Sequence, residues 1–303
     1  MMKLGMIGLG KMGLGLSENA VDNGNEIVAF DLNKDFVKKA TDYSDKISSA
    51  DSIEDMLAQL PSPKVVWVMV PAGAPTNSTI DELISKMDAG DIIIDGGNSN
   101  YKDNLEQNKR TTAAGIKLFD AGTSGGMDGA RNGGNFMIGG DDAEAWKILE
   151  PLFEGIAQEG GYLYTGRLGS GHYLKMVHNG IEYGMMQAIG EGFEILEASP
   201  FDYDLEKVAH LWNHGSVVRS WLMELAEEQF SKDPKLDDIT GRVVATGEGK
   251  WTVEEALDNQ VPAPVIAISL MMRNRSLQAD TFTGKVVSAL RNGFGGHAME
   301  KKN

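Results

Sequence analysis

The sequence has 303 residues, 42% apolar and 24% charged, a composition typical of a soluble globular protein with room for two domains. Its formal net charge of −16 disfavours a nucleic-acid partner, so any anionic ligand must be held by a local group of Arg and Lys. The absence of cysteine excludes disulfides and thiolate metal sites, and the absence of any run of 18 apolar residues predicts no membrane span.

The first 167 residues predict a dinucleotide-binding domain of alternating strands and helices. Its opening segment, residues 3–8, has strand character, from which we expect no signal peptide, and leads into the turn GLGKMG at residues 8–13. A helical pattern follows to Val21, and a second strand covers residues 26–30. A GxGxxG turn between a strand and a helix lets a pyrophosphate approach the helix N-terminus. The predicted contacts in this turn are Gly8, Leu9, Gly10, Met12 and Gly13.

Asp31, at the end of the second strand, indicates which dinucleotide is bound. It follows Gly13 by 18 residues, about where a carboxylate bonds the hydroxyls of the adenosine ribose and repels a 2′-phosphate. The sequence therefore favours NAD, with NADP as the alternative because Lys34 follows closely. A turn residue at a strand end is the other interpretation of Asp31.

The alternation continues to Arg167. Strands are predicted at 64–70, 91–95, 116–119, 136–138 and 162–164, and helices at 51–60, 76–87, 102–114 and 143–153. Because ligands of parallel sheets bind beyond the carboxyl ends of the strands, we expect nicotinamide and substrate contacts from Val70, Pro71, Ala72 and Asn98.

A glycine-dense segment, residues 122–140, has two interpretations that the sequence supports about equally. One is a flexible loop. The other is a site at Ser124, Gly125 and Gly126 whose hydroxyl and backbone N–H groups hold a carboxylate.

Residues 168–303 predict an all-helical domain, because the strand pattern disappears. The predicted helices are 171–198, 205–212, 217–230, 253–259, 264–277 and 285–290. One face of the first helix carries five polar residues on an otherwise apolar rod: Lys175, His178, Asn179, Glu182 and Tyr183. Periodicity alone favours a solvated face. However, Asn, His and glycine are poor helix formers, which favours a functional one.

Cationic residues of this second half are candidates for an anion site. They occur at a helix start, on the 264–277 helix and near the chain end, as Lys250 (with Thr252), Arg273, Arg275, Arg291 and His297. Each one alone is better explained as a solvated surface charge. As a set in an acidic chain, they indicate an anion cluster.

Together these motifs resemble those of the decarboxylating 6-phosphogluconate dehydrogenases, and the resemblance covers nearly the whole chain. It rests on GLGKMG at 8–13, DIIIDGGNSNYKD at 91–103, SGG at 124–126, GHYLKMVHNGIEY at 171–183, GKWT at 249–252 and RNGFGGH at 291–297. The wider β-hydroxyacid dehydrogenases share the glycine-rich turn and the lysine, but not the His-Asn-Gly-Ile-Glu-Tyr run.

The resemblance implies an α/β domain with a Rossmann-type doubly wound sheet, residues 1–167, followed by an all-α domain for substrate binding and dimerisation, residues 168–303. It implies oxidation and decarboxylation of 6-phospho-D-gluconate to D-ribulose 5-phosphate, with reduction of NAD or NADP, in the pentose phosphate pathway and gluconate utilisation. Lys175 corresponds to the general base and Glu182 to the acid that protonates C1 of the enediol. The residues that correspond to substrate ligands are Asn98, Ser124, Gly125, Gly126, His178 and Asn179 for the carboxylate and hydroxyls, and Tyr183, Lys250, Thr252, Arg273, Arg291 and His297 for the phosphate. No metal is implied.

The chain departs from the family pattern in two ways. Many members have a much longer helical domain, so this chain resembles a short form. Long forms commonly carry Asn-Arg-Thr where this chain has Asp31, Leu32 and Asn33, which supports NAD. In the family, the equivalent of RNGFGGH enters the neighbouring subunit's site. We therefore expect a cytoplasmic homodimer or homotetramer, although the shorter domain leaves the path of this tail open.

Two other functions are compatible with the residues. One is dehydrogenation of an unphosphorylated 3-hydroxy acid, in which Lys250 and Arg273 would contribute little to the Michaelis constant. The other is non-catalytic dinucleotide binding by a regulator, against which the Lys175 and Glu182 pair argues.

Overall fold

The computed structural model describes residues 2–301, and the chain divides into two compact units, Met1–His178 and Asn179–Asn303. The strands are β1 (Lys3–Ile7), β2 (Glu26–Phe30), β3 (Ile47–Ser49), β4 (Val65–Val68), β5 (Ile92–Asp95), β6 (Lys117–Ser124), β7 (Gly134–Gly140) and β8 (Ala157–Gly166). The helices that lie within the first unit are α1 (Lys11–Asp22), α2 (Lys34–Tyr43), α3 (Ile53–Ala58), α4 (Ala74–Ile84), α5 (Tyr101–Ala113), α6 (Gly126–Asn132) and α7 (Ala143–Ile156).

The next helix, α8 (Ser170–Glu197), begins in the first unit and ends in the second. The second unit then has α9 (Leu205–Asn213), α10 (Trp221–Lys232), α11 (Gly247–Asp258), α12 (Pro264–Ser276) and α13 (Phe282–Gly295). The two compact units divide within α8, whereas the predicted domain boundary lies just before this helix, between residues 167 and 168. That boundary stays a prediction.

One eight-stranded sheet organises the first unit, in the order β3-β2-β1-β4-β5-β6-β7-β8. Neighbouring strands are parallel except β6 and β7, which are antiparallel. The strand order reverses beside β1, which makes the carboxyl ends of β1 and β4 the expected place for a ligand. The predicted doubly wound α/β class is confirmed.

Alternation along the central strands builds the core of this unit. In β4, Val65 and Trp67 belong to one cluster of buried side chains, and Val66 and Val68 belong to another. Successive side chains of a strand point to opposite faces, so the two clusters lie on opposite faces of the sheet. This burial on both faces explains the continuous apolar run at 64–70, as is typical of parallel sheets.

Several elements of the first unit are absent from the sequence-based predictions. The strand β3 has only three residues, too few to show alternation. The helix α2 begins after Asn33, whose side chain accepts a hydrogen bond from the Asp35 N–H at 3.0 Å. The helix α6 forms inside the glycine-dense segment, so the flexible-loop interpretation is wrong for residues 126–132.

The regular elements described for the second unit are all helices, as predicted. Their bounds differ most at α11, which begins at Gly247, six residues earlier than predicted, and at α13, which extends the predicted 285–290 helix at both ends. A small core of aromatic and aliphatic side chains packs within this unit: Phe193, Leu205, Ala209, Met223 and Phe230. Among residues 2–301, no helix is long and apolar enough to cross a membrane.

Candidate active site

A cleft of about 790 Å³ in the first unit is lined by the glycine-rich turn and by the segments that follow β2, β4 and β5. Eight of the ten predicted cofactor residues line it: Gly8, Gly10, Met12, Gly13, Asp31, Val70, Pro71 and Asn98. The other two differ. Leu9 is fully buried, and Ala72 is exposed outside the lining of this cleft. Lining residues that the sequence did not single out include Lys11, Ser78 and Thr123.

The turn itself fits a dinucleotide pyrophosphate. Gly8 has φ +94°, and a Cβ there would lie 2.6 Å from the Met69 carbonyl oxygen. A Cβ on Gly13 would collide with the carbonyl oxygen of Gly8, so only glycine lets α1 begin this close to β1. At Gly10, by contrast, an added Cβ would meet nothing within 4 Å. The turn is therefore closed on its protein side and open where a phosphate has to approach.

Asp31 is held by backbone N–H groups at the end of β2. The Leu9 N–H donates to its Oδ2 at 2.6 Å and the Asn33 N–H donates to its Oδ1 at 2.7 Å. Lys34, the residue that could offset its charge, pairs instead with Asp51 at 3.2 Å. The fixed position of this carboxylate in the cleft suits a ribose that has free hydroxyls.

A second group of polar side chains in the first unit connects α8 to β6. Lys175 is only 6% exposed, and its Nζ lies 3.5 Å from Nδ1 of His178. Nε2 of His178 lies 3.1 Å from the hydroxyl oxygen of Ser124. The amine of Lys175, the imidazole of His178 and the hydroxyl of Ser124 are thus linked in a continuous row of contacts. Each of these groups can hydrogen-bond a hydroxyl or carbonyl oxygen of a ligand.

The remaining predicted residues of this unit lie on turns with unusual backbone conformations. Asn98 has φ +51°, and its side-chain oxygen accepts a hydrogen bond from the Thr123 N–H at 3.3 Å. Gly125 and Gly126 have φ of +107° and +59°, where they begin α6. A positive φ at a residue other than glycine is costly, which makes the turn at Asn98 a candidate for function.

In the second unit, Tyr183 on α8 is the centre of a compact group. It is 4% exposed, and its hydroxyl oxygen accepts a hydrogen bond from the Thr246 N–H at 2.9 Å. The guanidinium carbon of Arg273 lies 3.4 Å from the centre of its ring. Gly249, at the start of α11, allows this packing, because a Cβ there would overlap the tyrosine ring. A phenol and a guanidinium held together in this way are suited to an anion.

The other candidates of the second unit occupy different surroundings. Thr252 is buried, and its hydroxyl donates to the Glu248 carbonyl at 2.8 Å. Lys250 is exposed and pairs with Glu254 at 3.3 Å. Asn179 and Glu182 are partly exposed on α8, Arg291 is exposed in the last turns of α13, and His297 is exposed just after this helix. Among the described residues, the structure therefore groups Tyr183 with Arg273, but does not show Arg291 or His297 in that group.

Sequence reasoning did not identify a buried polar network beneath the Lys175 group. The Asp120 carboxylate accepts hydrogen bonds from the N–H groups of Gly169 and His172, each at 2.6 Å. The imidazole of His172 contacts Asn104 at 2.7 Å, and Asn104 donates to Asp95 at 2.8 Å. The signal available in the sequence was an acid at the same place in two successive strands, since Asp95 and Asp120 are register partners in β5 and β6.

Burial raises the pKa of the Asp120 carboxyl above its ordinary value, and the nearby Asp95 adds to this effect. The His172 side chain and the two backbone N–H groups oppose the increase, because they stabilise the negative charge. Among residues 2–301, no cluster of three or more His, Asp or Glu side chains could hold a metal ion.

Comparison with known proteins matches both halves of the chain. The family described as the NAD binding domain of 6-phosphogluconate dehydrogenase matches residues 3–168, and the family described as the 6-phosphogluconate dehydrogenase C-terminal domain matches residues 171–283. YqeC of Bacillus subtilis, provisionally assigned as a 6-phosphogluconate dehydrogenase, is 55% identical over 99% of this chain and 100% of its own. The NAD(+)-dependent, decarboxylating 6-phosphogluconate dehydrogenase of Haloferax volcanii is 43% identical, with 100% of both chains covered.

Solved structures extend these similarities. The 6-phosphogluconate dehydrogenase of Plasmodium falciparum has a TM-score of 0.84 at 29% identity, over 99% of this chain and 67% of its own. A 3-hydroxyisobutyrate dehydrogenase of Mycobacterium tuberculosis has a TM-score of 0.71 at 21% identity, over 96% of this chain and 99% of its own. The second similarity concerns the fold alone.

Proposed function

The chain belongs to the 6-phosphogluconate dehydrogenase family, and on this premise we propose that it converts 6-phospho-D-gluconate and NAD to D-ribulose 5-phosphate, carbon dioxide and NADH. The observation that carries the proposal is Lys175, a buried amine in contact with His178, which in turn contacts Ser124. We assign the reaction to the pentose phosphate pathway and gluconate utilisation, in the cytoplasm, where a chain without cysteine is compatible with the reducing conditions.

The open face of the glycine-rich turn and the Asp31 carboxylate would hold NAD in the cleft of the first unit. When bound, NAD supplies the acceptor for the hydride that leaves C3 of the substrate. The Haloferax volcanii relative is named as NAD(+)-dependent, whereas a Bacillus subtilis relative at 36% identity is named as NADP(+)-dependent. The fixed Asp31 carboxylate supports NAD here, with NADP as the poorer alternative.

We propose that Lys175 is the general base for the oxidation. The base must be the neutral amine, which can accept the proton of the C3 hydroxyl, and the buried position of Lys175 keeps bulk water away from this transfer. Once protonated, the same group donates a hydrogen bond to the new 3-keto oxygen. That oxygen then accepts the electron pair released when the C1 carboxylate leaves as carbon dioxide.

Glu182 is the proposed acid that returns a proton to the enediol, two helical turns after Lys175 on α8. The proposed ligands of the carboxylate and hydroxyls are Asn98, Ser124, Gly125, Gly126, His178 and Asn179. The proposed phosphate ligands are Tyr183, Lys250, Thr252, Arg273, Arg291 and His297, of which Tyr183 and Arg273 form the compact group described above.

The test of the reaction is to follow NADH absorbance and carbon dioxide release with 6-phosphogluconate, comparing NAD with NADP. We expect equal amounts of the two products and a faster reaction with NAD. Lys175→Met should abolish turnover while the dissociation constant of NAD stays within about twofold, since Lys175 does not line the cleft. The control Lys147→Met changes an exposed lysine that pairs with Glu144, and it should leave the rate unchanged.

Retained turnover in Lys175→Met would refute the assignment of the base. Arg273→Ala separates the phosphorylated substrate from an unphosphorylated 3-hydroxy acid. It should raise the Michaelis constant for 6-phosphogluconate roughly 100-fold, the loss expected for a charge-assisted contact with phosphate. An unchanged constant, together with NADH formation from a 3-hydroxy acid and no release of carbon dioxide, would favour the alternative reaction.

We also propose that the protein self-associates as a homodimer or homotetramer through α13. The helix α13 has no buried residue, and Phe282 and Phe294 are each 79% exposed. Large apolar side chains left exposed along one helix are typical of an interaction site. Leu290→Asp should shift the mass measured by light scattering to that of a monomer, whereas Ile148→Asp on α7 should not. An unchanged mass for Leu290→Asp would place the interface elsewhere.

A further inference from the structure

One face of β6 matches the first turns of α8, residue by residue, within the first unit. Asp120, Gly122 and Ser124 alternate along the strand and therefore share a face. Asp120 binds the helix start, Gly122 lies against Lys175, and Ser124 contacts His178. The helix partners recur every three residues, at positions 172, 175 and 178, and residues three apart are neighbours on a helix surface.

The contact at Gly122 fixes the stem of the lysine. A Cβ added to Gly122 would overlap Cβ of Lys175 and lie 3.0 Å from its Cγ. The Cβ added to Gly122 would also lie 3.3 Å from the Gly171 carbonyl oxygen. The side chain of Lys175 thus leaves the helix directly against strand backbone, and its position depends on where the helix begins relative to β6.

The Asp120 carboxylate fixes the start of α8, and both of its oxygens take part. Oδ1 accepts from the Gly169 N–H and Oδ2 accepts from the His172 N–H. The side chain is fully buried, which is an expensive setting for a carboxylate that only starts a helix. By comparison, Asp142 starts α7 with one oxygen, Oδ1, which accepts from the N–H groups of Glu144 and Ala145.

A second group of hydrogen bonds, from Asp95 on β5 through Asn104, reaches the first turn of α8. Asn104 donates its amide to Asp95, so its oxygen faces the His172 imidazole and Nδ1 of that ring carries the proton that the oxygen accepts. Two acids on adjacent strands therefore hold His172. Asp120 accepts a hydrogen bond from the backbone N–H of His172, and Asp95 is linked to the imidazole through Asn104. A turn fixed from two strands has little freedom to shift along β6.

We propose that Asp120 is a positioning residue for Lys175: its carboxylate fixes the first turn of α8 and so places the amine against Gly122. This inference rests on the proposed role of Lys175 as the base. Enzymes lose rate steeply when a reacting group moves, by about 100-fold for a shift of 1 Å.

The test compares Asp120→Asn with Asp142→Asn in the full-length protein. An asparagine at 120 has one acceptor and would turn its NH₂ towards a backbone N–H, so one of the two hydrogen bonds is lost. An asparagine at 142 keeps the single oxygen that both N–H groups use. We expect kcat of Asp120→Asn to fall at least about 30-fold, with the Michaelis constant for 6-phosphogluconate and the dissociation constant of NAD within about threefold.

The kinetic isotope effect measured with substrate deuterated at C3 is a second readout. A loss of stability alone does not change it. It should rise in Asp120→Asn, because proton abstraction and hydride transfer become slower relative to product release, and it should stay unchanged in Asp142→Asn. A kcat that falls only in proportion to the folded fraction, with an unchanged isotope effect, would overturn the proposal.

If Asp120→Asn does not fold, Gly122→Ala tests the same arrangement with the carboxylate intact. The added methyl group should lower kcat and leave the dissociation constant of NAD unchanged. Gly192→Ala on α8 is the matched control, since its Cβ would meet nothing within 4 Å and kcat should not change. A normal kcat in Gly122→Ala would overturn the proposal. Turnover in Lys175→Met would instead refute the proposed base, so the two failures are distinguishable.

Discussion

Gly10 and Gly13 belong to the same turn, but we expect alanine to have opposite effects at the two positions. Gly10→Ala should fold normally and lose NAD affinity, because its Cβ would meet nothing within 4 Å and Gly10 lines the cleft in which we expect the pyrophosphate. Gly13→Ala should lose both stability and affinity. Its Cβ would overlap the Gly8 carbonyl oxygen, lie 3.0 Å from the carbonyl carbon of Gly8, and lie 3.4 Å from Cβ of Met69.

The size of each effect follows from what can move. Backbone atoms cannot rotate away from the new methyl group at position 13, so α1 must shift relative to β1, which costs about 1–3 kcal/mol as in other overpacked sites. At position 10 the backbone is extended in φ and ψ, at −61° and −168°, so alanine is tolerated there. A methyl group in the path of the pyrophosphate should weaken NAD binding by roughly 10–100-fold, about 1.4–2.7 kcal/mol.

Thermal unfolding and NAD titration measure the two effects separately. The expected result is an unchanged Tm with a raised dissociation constant for Gly10→Ala, and a Tm lower by several degrees for Gly13→Ala. Wild-type NAD affinity in Gly10→Ala would refute the reasoning, because the pyrophosphate would then not approach this face of the turn.

Three further predictions concern single side chains. Asp31→Asn should raise the ratio of kcat/KM for NADP to that for NAD about tenfold, because a 2′-phosphate no longer meets a carboxylate; an unchanged ratio contradicts this role. Tyr183→Phe should lower the free energy of unfolding by about 1 kcal/mol, since the Thr246 N–H loses its acceptor while the ring stays beside Arg273; urea unfolding tests this, and no change would show that water replaces the hydroxyl. The Lys117 ammonium, and after it the Ala145 N–H, hold the pKa of Asp142 below its ordinary value of 3.8. The wild-type protein should therefore be more stable than Asp142→Asn at pH 7, and this difference should vanish as the pH falls below 3.8. A difference in Tm between the two proteins that persists at low pH would contradict this origin.

The sheet was predictable wherever burial imposes a pattern. Val65 to Val68 and Ile92 to Ile94 are buried on both faces, and continuous apolar runs of this kind have few other interpretations. The strand β3 was not predictable, because the Ile-Ser-Ser segment is too short to show alternation. The helix α6 was obscured by glycine, whose helix propensity is poor, although its neighbours on α1 and β7 supply the packing that propensity lacks.

The site was predictable where one helix or one turn carries it. The spacing of Lys175 and His178 placed both on one face, and the contact between their side chains agrees with that prediction. The contact of His178 with Ser124 joins residues 54 positions apart, and the residue types alone did not specify it. Asp120 was missed for the same reason. The role of an acid inside a strand depends on its hydrogen-bond donors, here the N–H groups of Gly169 and His172 at the start of α8, which are about 50 residues away in the sequence.

The acidity of the chain and its proposed anionic substrate are compatible because the cations act over short distances. At an ionic strength of 0.1 M, exposed charges are screened beyond about 10 Å, so the net charge of −16 contributes little at the distances of direct contact. What matters there is how firmly each basic side chain is held. The exposed Lys34 and Lys250 pair with acids, whereas Lys175 is buried against β6 and Arg273 is stacked on Tyr183. The two basic side chains with fixed positions, Lys175 and Arg273, are those whose proposed roles require a defined geometry, one at the reacting carbon and one at the phosphate.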